Sequence, residues 1–78
     1  MLIVEEKDFK KLEELGFEEE VDDKTYDKKL CNTDWVKISV YKNNGKIVLS
    51  FSSQVEDLYD DELEELYDFL SLDTVKKV

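Results

Sequence analysis

The sequence predicts an α+β fold with a two-layer α-β-β-β-α arrangement: a small antiparallel sheet with a central Asn-Gly hairpin, and two helices packed on one face of it. Three observations support this prediction. Apolar residues recur at helical spacing near both ends of the chain, and alternating strands flank Asn44-Gly45 in the middle. The 78 residues also contain no linker rich in Pro, Gly or Ser. We therefore predict a single domain, residues 1–78.

The first helix is predicted over residues 5–15, where Phe9, Leu12 and Leu15 recur every three residues. Gly16 follows directly, and a glycine at this place is typical of the left-handed residue that ends a helix. Residues 17–30 then fit one or two exposed strands joined near residues 22–24.

The hairpin is the clearest element, because Asn44-Gly45 is a strong two-residue turn signal with strict alternation on both sides. Such a turn pairs Lys42 with Ile47, Val40 with Leu49, and Ile38 with Phe51. One face of the sheet then carries Val36, Ile38, Val40, Ile47, Leu49 and Phe51. The opposite face carries Trp35, Lys37, Ser39, Tyr41, Val48 and Ser50.

The second helix is predicted within VEDLYDDELEELYDFLSL, residues 55–72, which contains eight carboxylates and no positive charge. It starts between residues 54 and 61, because Ser53 with Glu56 forms one capping box and Asp60 is a competing N-cap. Its apolar stripe holds Val55, Leu58, Tyr59, Leu63, Leu66, Phe69 and Leu70. Glu62 falls inside that stripe. This favours the later start, where the Glu62 side chain can reach a free backbone N–H in the first turn.

Charge is distributed unevenly along a chain of net charge −10. Residues 1–23 hold ten acids and three lysines, residues 24–46 hold six lysines and two acids, and residues 47–75 hold nine acids and no lysine. Direct nucleic-acid binding is not expected, because phosphate contacts need clustered cations and a net negative charge repels the phosphate backbone. Anionic membrane surfaces are disfavoured for the same reason, and no apolar run approaches the ~18 residues of a membrane span.

The cysteine content and the first residues predict a cytoplasmic protein. A single cysteine, Cys31, cannot form an internal disulfide. The opening MLIVEE runs into acids and not into a signal-peptide core.

Catalysis, a cofactor and a metal site are all not expected. The chain has no histidine, so Cys31 lacks the usual base that would activate its thiol. The pairs Asp22-Asp23 and Asp60-Asp61 lie in polar surroundings that do not favour a catalytic pair of carboxylates. The segment DDKTYD also departs from the calcium-loop spacing.

Two surfaces are candidates for binding a partner. The first is the outward face of the second helix, with Asp57, Asp60, Asp61, Glu64, Glu65 and Asp68. Acids four residues apart repel each other by ~0.2–0.5 kcal/mol per pair, so this face lowers the stability of its own helix. One carboxylate per ~3 Å along the helix approaches the ~3.4 Å per phosphate along one DNA strand. The alternative is a solvated face that keeps a small protein soluble.

The second candidate surface is the sheet face that holds Trp35, Tyr41 and Val48. Trp and Tyr are enriched at binding hot spots, and such a face also suits a homodimer. The alternative is that Trp35 packs under the 22–34 loop and that Tyr41 and Val48 are simply a cross-strand pair.

A resemblance rests on DFKKLEELGFEEE, in which Leu15-Gly16-Phe17 follows a helix, together with the later Tyr-containing strand, hairpin and acidic helix. The chain resembles small acidic orphan proteins of phages and prophages of AT-rich Gram-positive bacteria. This broad kind includes DNA-mimic inhibitors such as certain anti-CRISPR proteins and uracil-DNA glycosylase inhibitors.

The resemblance implies a non-enzymatic module that binds a protein partner with a basic surface, mimicking nucleic acid to inhibit a DNA- or RNA-binding protein. The basic segment 24–46 departs from a uniformly acidic mimic. Two other functions remain open. One is a structural or assembly protein that self-associates through the aromatic sheet face, and the other is an immunity or antitoxin protein for a cationic toxin.

Overall fold

The computed structural model of the chain describes residues 1–51 and 58–78. Within these residues the chain is an α+β fold with a four-stranded antiparallel sheet and two helices, which confirms the predicted class. The elements are β1 Leu2–Val4, α1 Phe9–Glu14, β2 Glu18–Glu19, β3 Thr25–Lys29, β4 Val36–Tyr41, β5 Ile47–Phe51, α2 Asp60–Leu70 and β6 Val75–Lys77. Short 3-10 turns lie at Glu6–Asp8 and Leu30–Asn32. None of the helices in the described ranges is long and apolar enough to cross a membrane.

The main sheet has the strand order β2-β3-β4-β5, so each strand pairs with its neighbour in sequence. The predicted strands in residues 17–30 are confirmed as β2 and β3, which pair antiparallel across a turn where Asp23 has a φ of +60°. Val21 lies in the same turn and is fully exposed.

The two terminal strands, β1 and β6, were not predicted. They form a separate antiparallel pair in which Leu2 lies opposite Lys77 and Val4 lies opposite Val75. The Met1 ammonium donates to the Val78 carbonyl at 2.9 Å. The two ends of the chain are therefore adjacent, and the predicted order α-β-β-β-α becomes β-α-β-β-β-β-α-β.

The predicted hairpin of β4 and β5 forms, but its predicted register is wrong by two residues. Ile38 lies opposite Leu49, and Val40 lies opposite Ile47. Side chains alternate with a period of two, so this shift leaves every residue of β4 and β5 on its predicted face.

The register differs because the hairpin loop packs against β1. The loop contains residues 42–45, since the Tyr41 N–H donates to the Lys46 carbonyl at 3.0 Å and closes it. The Gly45 carbonyl accepts the Val4 N–H at 2.8 Å. Gly45 is buried with a φ of +73°, and a Cβ there would lie 2.0 Å from the Val4 carbonyl oxygen. This contact selects the longer loop over the two-residue Asn44-Gly45 turn.

The core lies on the predicted apolar face of the sheet, where Val36, Ile38 and Val40 are buried. Both helices and the neighbouring segments contribute the remaining buried apolar residues, which are Val4, Leu12, Phe17, Leu30, Leu66 and Phe69. Phe51 shares this face by register, but its ring is 39% exposed at the end of β5.

The helix α1 is shorter than predicted, because residues 6–8 form the 3-10 turn. Its predicted end is confirmed, since Gly16 has a φ of +95°. The Phe17 N–H donates to the Leu12 carbonyl at 2.9 Å, and the Gly16 N–H donates to the Glu13 carbonyl at 3.1 Å. This pair of bonds is the Schellman motif, which satisfies the last carbonyls of a helix.

Candidate partner-binding surface

The second helix begins at Asp60, within the predicted range of 54–61, but its N-cap is Tyr59 and not Asp60 as predicted. Glu62 has the predicted role in the first turn. The Glu62 side chain is 1% exposed, and its Oε1 accepts the Tyr59 backbone N–H at 2.9 Å. Its Oε2 accepts the Trp35 indole N–H at 2.8 Å and the Thr33 hydroxyl at 3.4 Å. Glu62 therefore joins the start of α2 to the segment that precedes β4. The competing start at Ser53 and Glu56 lies outside the described residues.

The prediction that Trp35 shares a sheet face with Tyr41 is wrong. The Trp35 ring turns towards α2, where it donates to Glu62 and packs edge-on against Tyr59 with centroids 6.1 Å apart. Trp35 precedes β4, so strand alternation does not fix its direction, and a buried carboxylate offers its indole N–H an acceptor.

Without Trp35 the second candidate surface is less aromatic than predicted. Tyr41 remains 40% exposed there and Val48 is half-buried. Val48 lies opposite Ser39, so Tyr41 and Val48 are diagonal neighbours and not a direct cross-strand pair.

The first candidate surface is largely present. Of the six acids predicted to face outward, Asp60, Asp61, Glu64 and Asp68 are exposed on α2. Asp57 lies outside the described residues.

Glu65 is the exception, and its predicted outward position is wrong. It is half-buried, accepts the Cys31 backbone N–H at 2.5 Å and lies 3.5 Å from the Lys28 ammonium. Cys31 and Asn32 have φ values of +52° and +56°, and this left-handed turn directs the Cys31 N–H at α2. Burial favours the neutral acid, but the bonds from Cys31 and the charge of Lys28 lower the pKa of Glu65 below its usual value.

The surroundings of Cys31, including Glu65, also lower the reactivity of its thiol. Desolvation of the sulfur and a hydrogen bond with Glu65 raise the pKa of the Cys31 thiol to about 11. The thiolate is the reactive form of cysteine, so this thiol is poorly suited to nucleophilic chemistry at neutral pH.

Tyr67 was missed in the sequence and belongs to the acidic surface. Its side chain is 61% exposed, three residues after Glu64 and next to Asp68. A helix places residues three, four and seven apart on one face, so its spacing from Asp60 and Glu64 was the available signal. We call the set Asp60, Asp61, Glu64, Tyr67 and Asp68 the acidic face.

The lysines of the basic segment are largely neutralised within the fold. Four of the six make ion pairs: Lys28 with Glu65 at 3.5 Å, Lys29 with Asp34 at 2.8 Å, Lys37 with Asp27 at 3.0 Å, and Lys42 with Glu19 and Asp23. The carboxylates of the acidic face make no ion pair with any residue of the described ranges. Other exposed acids without an ion pair in the described ranges, such as Glu13 and Glu14, share α1 with two lysines, whereas α2 contains no lysine.

In the part of the chain that the structure describes, no group of three or more acids and cysteines is arranged to hold a metal ion. The chain matches no protein-family model, no curated protein and no solved structure. A function is therefore proposed from the geometry of the acidic face.

Proposed function

We propose that the protein is a non-enzymatic, cytoplasmic binding module whose acidic face occupies a basic groove on a DNA- or RNA-binding protein and inhibits that protein. The observation that supports this most is the contrast between two sets of acids. Asp27, Glu19 and Asp23 around the sheet and Glu65 on the inner side of α2 have lysine partners. The four exposed carboxylates of α2 have none among the described residues, and α2 itself contains no lysine.

The spacing of these carboxylates suits a groove that binds phosphates. Residues 60–68 span about 12 Å at ~1.5 Å rise per residue, so four carboxylates give about one charge per 4 Å. One strand of duplex DNA carries a phosphate every ~3.4 Å. A groove lined with cations would attract this face over a distance and accelerate the encounter.

Two of these acids oppose the stability of their own helix. Glu64 and Asp68 are four residues apart and repel each other by ~0.2–0.5 kcal/mol. Asp68 also lies in the last turn of α2, near the negative end of the helix dipole, and that turn contains no basic residue. A lysine at position 68 would stabilise the helix, so an acid there is better explained by binding than by solubility.

Tyr67 gives the acidic face an apolar contact that a plain array of charges lacks. Exposed tyrosines often contribute a large share of binding energy because they bury a rigid ring at a small loss of conformational entropy. We expect Tyr67 to contact the partner at the centre of the interface, with the carboxylates around it.

The experiment compares Asp68→Lys with a matched control, Glu14→Lys. Both variants change the net charge by the same amount, and both replace an exposed acid in the last turn of a helix. Each is immobilised beside the unaltered protein and exposed to a lysate of an AT-rich Gram-positive bacterium at low salt. Proteins held by the unaltered chain and by Glu14→Lys should be lost from Asp68→Lys, with at least about a tenfold fall in affinity, or ~1.4 kcal/mol.

Elution with duplex DNA tests the mimicry itself. A partner that uses its nucleic-acid groove should be released by added duplex and by a rise to physiological salt, where exposed charges are screened within about 8 Å. Binding that survives Asp68→Lys, salt and duplex DNA together would contradict the proposal. A captured toxin that ignores DNA would favour the immunity function, and concentration-dependent dimerisation lost in Tyr41→Ser would favour self-association.

A further inference from the structure

A second cluster of charged groups lies on the sheet face opposite the core, where β3 carries Asp27. The Asp27 side chain is 8% exposed, and its Oδ2 lies 3.0 Å from the Lys37 ammonium. Its Oδ1 is inaccessible to solvent and has no hydrogen-bond partner within the described residues. A buried carboxylate oxygen that accepts no hydrogen bond lowers the stability of the fold, so we expect a neighbouring group that can donate to it.

Glu20 is the group placed to supply the missing donor. It follows β2, and its Oε1 lies 3.9 Å from the Lys37 ammonium that also lies 3.0 Å from Asp27, so the two carboxyl groups are neighbours at one cation. Two ionised carboxylates are both acceptors only, so this contact becomes a hydrogen bond when one of them carries a proton.

Lys37 lies closer to Asp27 than to Glu20, which favours the negative charge on Asp27 and the proton on Glu20. Burial disfavours ionised Asp27, but hydrogen bonds with Glu20, Lys37, Ser39 and Thr25 together outweigh it and lower the pKa of Asp27. The hydrogen bond with Asp27, followed by the negative charge of Asp27, raises the pKa of Glu20. The proton therefore belongs on Glu20, which is the more exposed of the two side chains.

We propose that Glu20 and Asp27 form a pH-sensitive hydrogen bond, which we call the clasp. In mild acid Glu20 takes a proton from solvent, donates it in a hydrogen bond to Asp27 and so stabilises the β2–β3 hairpin. At neutral pH Glu20 is ionised and this hydrogen bond is lost. Charged groups around the clasp come from three places. Asp22 faces Glu20 from the turn, Lys37 faces both acids from β4, and Glu18 lies opposite Asp27 in the register of β2 and β3.

The direction of the pH dependence follows from the raised pKa of Glu20. A group whose pKa is higher in the folded state binds its proton more tightly there than in the unfolded chain. The stability it contributes is fully present below the unfolded pKa and is lost as pH rises through the folded pKa. The hairpin should thus be more firmly closed near pH 4.5 than near pH 7, while Asp27 stays ionised throughout this window.

The experiment uses the whole protein and replaces Glu20 by Gln. The Gln amide is a permanent donor of similar size, so Glu20→Gln should fasten the hairpin at pH 7 without a proton. Glu18→Gln is the matched control for charge alone, because it removes the same charge from the exposed residue opposite Asp27 in the β2–β3 register. Amide hydrogen exchange of Glu20, whose N–H donates to the Thr25 carbonyl at 3.0 Å, reports hairpin opening at each pH.

In the unaltered protein, the opening constant should rise by about two- to tenfold between pH 4.5 and 7, the factor that one net hydrogen bond produces. Glu20→Gln should keep the low opening constant at both pH values, and Glu18→Gln should retain the pH dependence of the unaltered protein. Carbon-detected titration of the carboxyl groups checks the same point without a variant, since the pKa of Glu20 should lie above the ordinary value of a glutamate. An ordinary pKa at Glu20, or equal behaviour of the two variants, would overturn the clasp.

Discussion

The Glu62 side chain connects two separate segments of the chain, the start of α2 and residues 33–35, through its two carboxylate oxygens. The sequence predicted its bond to a backbone N–H at the start of α2, because Glu62 is an acid in the apolar stripe and local helix geometry limits where its side chain can go. Its bonds to Trp35 and Thr33 were not predictable, since those residues lie 27 and 29 positions away. The misplacement of Trp35 has the same origin. At the scale of single residues, local bonds were predictable and distant acceptors were not.

Glu62→Gln tests this junction directly. Gln offers one acceptor and one donor where Glu62 offers two acceptors, so either the Tyr59 N–H or the Trp35 indole N–H must face a donor. A buried donor left without an acceptor costs about 1–3 kcal/mol, and we expect the free energy of unfolding to fall by that amount. Chemical denaturation followed by the fluorescence of Trp35, the one tryptophan of the chain, measures it.

Glu64→Gln is the matched control for this prediction, because Glu64 is an exposed acid two residues further along α2. An exposed substitution of this kind should change the free energy of unfolding by less than about 0.5 kcal/mol. Equal losses in the two variants would mean that the Glu62 bonds contribute nothing beyond charge.

Among the elements, periodicity predicted what lies on each face better than it predicted how the elements meet. The faces of β4 and β5 and most of the acidic face of α2 were predictable, because period 2 and period 3.6 are local properties of the backbone. The hairpin register was not, since β1 contacts the loop from outside the hairpin. Glu65 turns inward for a similar reason, because the left-handed turn at Cys31 offers it a backbone N–H.

Gly16 and Gly45 both have left-handed backbone conformations, but only Gly45 contacts β1. Alanine substitutions at the two positions therefore separate the effect of the contact between the hairpin loop and β1 from the effect of backbone strain. Gly16→Ala places a Cβ 3.7 Å from the Lys28 side chain, an ordinary contact, so only the left-handed backbone is penalised, by about 1–2 kcal/mol. Gly45→Ala carries the same penalty, and its Cβ would also lie 2.0 Å from the Val4 carbonyl oxygen. The alanine at position 45 must therefore move the loop away from β1.

We expect Gly45→Ala to lower the midpoint of thermal unfolding clearly more than Gly16→Ala does, as measured by circular dichroism. The hydrogen exchange of the Val4 amide should accelerate in Gly45→Ala alone, because that amide donates to Gly45. Similar losses in both variants, with Val4 still protected, would show that β1 does not hold the loop.

For the whole molecule, the fold redistributes the charges that the sequence keeps in separate segments. The basic segment departs from an acidic mimic in sequence, yet two of its lysines, Lys28 and Lys42, pair with acids of the two acidic segments. The pairing of β1 with β6 is also non-local, and its strands are only three residues each. Such features depend on which segments meet in space, so a single sequence read in local windows does not predict them.

The adjacent chain ends make circular permutation a test of this architecture. Met1 and Val78 exchange two hydrogen bonds, so a two-residue Asn-Gly turn can join β6 to β1 as a hairpin. A permutant opened between Asp22 and Asp23 breaks the chain in an exposed turn and should fold with nearly the thermal midpoint of the parent. A second permutant with the same closure, opened between Asn44 and Gly45, frees the loop that β1 contacts. We expect its midpoint to be at least about 8 °C lower, equivalent to ~1–2 kcal/mol for a chain of this size. If both permutants melted together near the parent, the contact between the terminal strands and the hairpin loop would contribute little; if both failed to fold, the ends of the chain would not pair as described.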